Sequence, residues 1–372
     1  MAVNAAWIME AMERWAPRHL AESWDNVGLL VGHPAAKVSK VLVTLDVTIP
    51  VVTYAAQNKY DLIISHHPPI FKALPSLRTD NSQGQMLALL LQNSIAVYTA
   101  HTNLDAAPGG VNDTLATLLG LKRIRPLQTT YEDKLVKLAV FVPASHVGAV
   151  CDALCDAGAG HIGQYSHCTW QSAGTGTFLP LAGTNPFLGT QGQLQSVNEV
   201  KLETIFPQSL QKAVIAAMIA AHPYEEVAYD LYHLMNTGKR YGIGRIGTLP
   251  APCSFGEWLR DAKEALGLET VKVAGSVDRE IQTIALCGGS GASMINDAAQ
   301  AGADVLITGD VKYHEAQQAI DKGIIVIDGG HYGTEQPVVQ VVSAYLRQAA
   351  ALAGEQLIID SDPVNTDVFY YR

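Results

Sequence analysis

Strand and helix alternate along both ends of this 372-residue chain, and the rhythm breaks in the middle. KVLVTLDVT, from residue 40, reads as a strand and IPVVTYAAQNK as a helix. DLIISH, QGQMLALLLQN and SIAVYTAH follow as strand, helix and strand. GGVNDTLATLLGL reads as a further helix, with Asn112 or Asp113 as its N-cap. From about residue 236 the pattern returns. IQTIALCGGSG, ADVLITGD and IIVIDGGH are strands, each followed by a helical segment: ASMINDAAQAG, YHEAQQAIDKG and QPVVQVVSAYLRQAAALAG. Such alternation implies parallel βαβ units, because a helix must carry the chain back across the sheet.

The middle reads differently. KLVKLAVFVP is a strand and SHVGAVCDALCDAG a helix. GQYSHCTWQS and GTGTFLPL read as paired strands, with AGTNPFLGTQGQLQS as a glycine-rich loop. EVKLETIFP, QSLQKAVIAAMIAAH and EVAYDLYHL close it as strand, helix and strand, a ferredoxin-like pattern with an extra strand. The expected organisation is an α/β domain in two halves, 1–128 and 236–372, with an inserted α+β domain over 129–235. The length also exceeds what one compact core ordinarily serves.

Three histidine clusters follow apolar strands. ISHHPPIF places His66 and His67 side by side, with Pro68 and Pro69 fixing the backbone behind them. TAHTNLDAAPGG carries His101 and Asp105, and DGGHYGTEQP carries His331 and Glu335 behind two glycines that allow close backbone approach. Taken singly, each is a modest signal, and the His66–His67 pair also fits one core and one surface histidine. Together they stand at the carboxyl ends of parallel strands, where open α/β sheets place their ligands. Four imidazoles and two carboxylates exceed the needs of one tetrahedral ion and suit two, with a bridging Glu and a bridging water.

A fourth cluster, TGDVKYHEA, holds Asp310, Lys312 and His314. Asp310 is either a helix cap or a group supporting the site, and His314 either a surface or a site-facing residue. LCGGSG reads as a tight βα turn or an anion cradle, without the Lys-Ser/Thr of a Walker loop. Turn chemistry accounts for Trp24, Asp25 and Asn26 in SWDNVGLLVG. The five cysteines match no zinc-finger spacing and read as free thiols of a reducing compartment. A net charge of −10 argues against general nucleic-acid binding. No apolar run is long enough to cross a bilayer, and the first twenty residues lack signal-peptide character, so a cytoplasmic protein is expected.

SWDNVGLLVG, ISHHPPIF, AHTNLDAAPGGVND, TGDVKYHEA and DGGHYGTE occur in this order, and with them the chain resembles the NIF3 family of dinuclear-metal proteins. Bacterial members of that family are often labelled GTP cyclohydrolase 1 type 2 homologues. The likeness covers both flanking segments, while AHPYEEVAYDL is similar to the PII/CutA-like insert of longer bacterial members. It implies a NIF3-like fold and a toroidal homohexamer with metal sites facing an inner cavity. It also implies two divalent ions per chain, with Zn, Mn, Fe, Co and Ni all suited to the donors. The ligands it carries over are His66, His67, Asp105, His331 and Glu335, with Glu335 touching both ions, His101 an accessory ligand and His314 lining the site. The implied activity is hydrolysis of a small molecule such as a nucleotide, with a metal-bridging hydroxide attacking purine C8 in a GTP cyclohydrolase or phosphorus in a phosphoesterase. The competing class is a non-catalytic metal-dependent scaffold with the insert as effector sensor.

Overall fold

The computed structural model of the chain describes residues 2–370. Two compact units result: Met1–Tyr131 together with Tyr241–Arg372, and Glu132–Arg240.

The first unit contains two main sheets. One has five strands in the order Ile358–Ser361, Lys40–Thr44, Leu62–Ser65, Ala96–Thr99, Gly28–Val31. The first four are parallel, and Gly28–Val31 closes an edge antiparallel to Ala96–Thr99. Lys40–Thr44, Leu62–Ser65 and Ala96–Thr99 are almost wholly buried because helices cover both faces, which is why they read as continuous apolar runs. Local signals set the helix starts. Thr48 accepts from the Val51 amide with Pro50 in the first turn, and Asn81 accepts from the Gly84 amide.

The second sheet has six strands in the order Lys272–Ala274, Ile325–Asp328, Val305–Gly309, Glu280–Ser290, Arg240–Ser254, Lys122–Glu132. Only its centre is parallel. Arg240–Ser254 runs antiparallel to Glu280–Ser290, so this half is a mixed sheet where alternation implied a parallel one. The helix at Val111–Leu118 corrects a second expectation. Its N-cap is Gly110, and Asn112 and Asp113 lie inside the first turn. The Asn112 side chain instead joins Asp105 O to the Gly288 amide, and Asp113 receives buried Arg245.

The second unit has the strand order Tyr229–His233, Leu135–Pro143, Gln195–Pro207, Thr169–Phe178, with helices Val147–Asp156 and Gln211–Ala221. This is a β-α-β-β-α-β module in an antiparallel sheet. Among the described residues the expected extra strand is absent. GQYSHCTWQS and GTGTFLPL contribute to one continuous strand, Thr169–Phe178, paired over its length with Gln195–Thr204. Glycine weakens a strand and reads as a break, but ladder pairing carries the chain through.

Candidate metal centre

The carboxyl ends of the parallel strands in the two sheets of the first unit converge on one cluster. After Leu62–Ser65 the backbone takes two more ladder steps, His66 N to Thr44 O and His67 N to Leu45 O. The chain then turns, bringing the adjacent rings to 5.1 Å between centroids on the same side. His101 precedes the short helix Thr102–Ala106, which carries Asp105. His331 and Glu335 bracket one turn of helix that starts after Gly330, whose φ of 79° suits glycine.

Donor atoms gather around Glu335, whose side chain is 4% exposed. Its Oε1 lies 3.6 Å from His66 Nε2, which is also 3.6 Å from Asp105 Oδ1. Its Oε2 lies 2.9 Å from His67 Nε2 and 3.2 Å from His331 Nε2, and those two nitrogens are 3.3 Å apart. His66, His67 and His101 form one group close enough to share an ion, and His67, His331 and Glu335 another.

Each ring is set by its Nδ1. His66 Nδ1 donates to Ala100 O at 2.9 Å. His67 Nδ1 donates to Asp46 at 2.7 Å, His331 Nδ1 to Asp310 at 2.7 Å and His101 Nδ1 to Asp25 at 2.9 Å. Every Nε2 is therefore left facing the cluster, the tautomer arrangement that metal-bound imidazoles show. His66 Nε2 and Asp105 Oδ1 are buried and make no hydrogen bond among the described residues. Buried acceptors without donors are costly, and a cation among them removes that cost. The donor set thus fits divalent metal on the structure's own terms.

The electrostatics agree. Burial pushes the Glu335 carboxyl up, but His331, His66 and His67 together hold it well below the usual range. Burial raises Asp105, with Glu335 adding to the effect. Burial pulls His67 down, yet Asp46 and Glu335 outweigh it and push the ring up to about 10. Glu335 above all raises His331 to about 9. The site is a well of negative potential that holds protons when nothing stronger competes.

The family described as Duf34/NIF3 (NGG1p interacting factor 3) matches residues 3–363. The chain belongs to this family. A protein of Halalkalibacterium halodurans named GTP cyclohydrolase 1 type 2 homolog is 42% identical over 99% of both chains. One of the same name from Bacillus subtilis is 46% identical over 89% of both. The crystal structure of a Bacillus cereus protein related to NIF3 superposes with a TM-score of 0.94 at 43% identity, covering 100% of this chain and 99% of that one.

Within this NIF3 scaffold, the structure brings together His66, His67, His101, Asp105, His331 and Glu335. It leaves His314 outside. That side chain is exposed and pairs with Gln317 at 2.9 Å. Lys312 is the N-cap residue of the following helix, its amide donating to the Glu315 carboxylate, so Asp310 is not the cap. Asp310 holds His331.

LCGGSG is not an anion cradle. The amides of Gly288, Gly289 and Gly291 donate to Asn112, Thr334 and Thr308. Gly289 instead leaves room for the cluster, since a Cβ there would stand 2.1 Å from Glu335 Oε1. Asp25 is more than a turn residue. It accepts from His101 and from the Thr102 amide and hydroxyl. Burial would raise its carboxyl, but these donors lower it to about 2. The sequence pattern gave no warning of Asp46. Its one signal was its place just beyond the strand Lys40–Thr44, as His66 stands just beyond Leu62–Ser65.

Proposed function

We propose that this chain is a metal-dependent hydrolase that holds two divalent ions and acts on a nucleotide, GTP being the first candidate. The observation that carries the reading is the convergence of His66, His67 and His331 Nε2 on buried Glu335, with His66 Nε2 and Asp105 Oδ1 left without a hydrogen-bond partner among the described residues. His66, Asp105 and His101 would hold one ion and His67 and His331 the other, with Glu335 offering an oxygen to each. Zn, Mn, Fe, Co and Ni are all compatible with these donors. When bound, such a pair supplies a water-derived nucleophile at neutral pH and polarises the bond to be cleaved.

The remaining work belongs to the chain. Asp46, Asp310 and Asp25 hold three of the imidazoles in one tautomer and orientation. The wall beside His101 carries two exposed aromatic rings. Trp24 is 57% exposed, its ring 6.2 Å from that of His101 and 5.7 Å from that of Phe71. Asn26 donates to Ile70 O and ties the two aromatic loops together. A purine stacked there would lie beside the ions. The His331 side chain is 37% exposed while that of Glu335 is 4%, so one side of the cluster is open to a substrate. That openness favours a hydrolase over a closed scaffold site. The family likeness supports a cytoplasmic homohexamer and a PII/CutA-like assignment for the insert.

The test is metal content of protein purified without added metal, alongside turnover of GTP and of p-nitrophenyl phosphate. About two ions per chain and metal-dependent GTP turnover, both lost in Glu335→Ala, are expected. Cleavage of the phosphate ester alone would replace the cyclohydrolase by a phosphoesterase. Two ions without turnover of either would move the protein to the scaffold class, and no metal after reconstitution would sink the reading.

A further inference from the structure

The unit Glu132–Arg240 contains a cavity of about 650 Å³, within the range of small-molecule sites. Strand periodicity explains where it lies. Val136, Leu138, Val140, Val142, Leu202 and Phe206 face the two helices and are buried against them. The alternate residues Phe141, Glu199 and Lys201 point to the other face of the sheet and line the cavity.

Glycines in the edge strand make the room. Gly174 stands opposite Glu199 in the ladder. A Cβ on Gly176 would fall 2.0 Å from Glu199 Oε2. These two glycines, both within GTGTFLPL, let the carboxylate lie over the sheet. Phe178 and Phe187 sit 5.8 and 6.3 Å from Tyr224, ring centre to ring centre. The loop bearing Phe187 is held in place, because the Asn185 amide donates to both oxygens of Glu225 at 3.0 and 3.2 Å.

Charge selects the occupant. The lining contains Glu199, Glu225 and Glu226 against Lys201 alone. The Lys201 ammonium is 3.3 Å from Glu203, which also holds Lys137. Glu199 receives the Tyr224 hydroxyl at 3.0 Å, and among the described residues it forms no salt bridge. Aromatic rings beside a carboxylate with no salt bridge attract an organic cation by ring quadrupole and by charge.

We propose that this cavity is a binding site for a small amine with an aromatic or apolar body, recognised by Glu199 and enclosed by Phe178, Phe187 and Tyr224. The site lies wholly within the insert and stands whether or not the metal centre is catalytic.

The test is calorimetric titration of the full chain with tryptamine, and with indole-3-propionate as a probe of similar body and opposite charge. Saturable binding of tryptamine and none of indole-3-propionate is expected. Glu199→Gln should weaken tryptamine by about tenfold or more while metal content stays unchanged. Phe187→Ala, at a half-exposed position that leaves the core intact, should weaken it as well. The proposal is overturned if tryptamine gives no saturable heat, if the two probes bind alike, or if both variants bind as the parent does.

Discussion

Asp46→Asn separates the two halves of the proposed metal centre. Asp46 Oδ1 accepts the His67 Nδ1 proton at 2.7 Å, and Oδ2 receives the Thr366 hydroxyl at 2.7 Å. Asparagine keeps the volume, and its carbonyl still accepts from His67, so the ring stays in place. The substitution removes the negative charge that makes Nε2 a stronger base. Loss of such an outer carboxylate costs about 10–100-fold in metal affinity, or about 1.4–2.7 kcal/mol. The loss should fall on the ion at His67 and His331. His66 is oriented by a backbone carbonyl, Ala100 O, which the substitution leaves in place. Asp310→Asn should weaken the same ion, and Asp25→Asn the one beside His101. Competition against a chromophoric chelator resolves the two affinities, with thermal unfolding of the metal-free variants to check the fold. If Asp46→Asn and Asp25→Asn weaken the same ion, or neither weakens any, the assignment of residues to two ions is wrong.

Gly289→Ala should lower metal content without replacing a ligand. The new Cβ would meet Glu335 Oε1 at 2.1 Å, and a φ of 62° costs a side chain about 1–2 kcal/mol, read by metal analysis and unfolding together. In metal-free protein His67 and His331 are raised to about 10 and about 9, above the usual value near 6.5. Their pairing therefore stabilises fully below about pH 6.5 and is lost as pH rises through about 9–10. Melting temperature of the metal-free protein should fall over that window, and loading metal at pH 7 should release protons to an indicator dye; silence in both refutes the tautomer scheme. Arg245 is 3% exposed and donates to Asp113, Gly242 O and Gly244 O, so Arg245→Met should destabilise by about 3–5 kcal/mol in urea titration. Burial raises the Cys287 thiol far above its usual range and that of Cys155 to about 11, so both should resist alkylation in native protein. Mass-mapped labelling of either at neutral pH would contradict their burial.

Much of the centre was legible because it is built from local signals. Apolar runs marked the strand ends, and His66, His67, His101, Asp105, His331 and Glu335 all follow such runs. The supporting residues were less legible. Asp25 looked like a turn, Asp46 like nothing in particular, and Asp310 like either a helix cap or a supporting group. Each makes its decisive bond to a residue at least 21 positions away, beyond any periodicity or capping pattern. His314 was open between a surface and a site-facing place, and its side chain is exposed and paired with Gln317.

The strand–helix rhythm and the histidine spacing thus determined an α/β chain with candidate ligands at its strand ends, because side-chain alternation and turn chemistry act over a few residues. The tertiary structure decided that two separate sheets point these ends at each other. His67 and His331 are 264 residues apart in the chain, yet their nitrogens come within 3.3 Å. It also decided that Glu335 stands between them, in space that Gly289 leaves free. Those outcomes depend on sheet packing and on the absence of a single Cβ, which only the folded chain expresses.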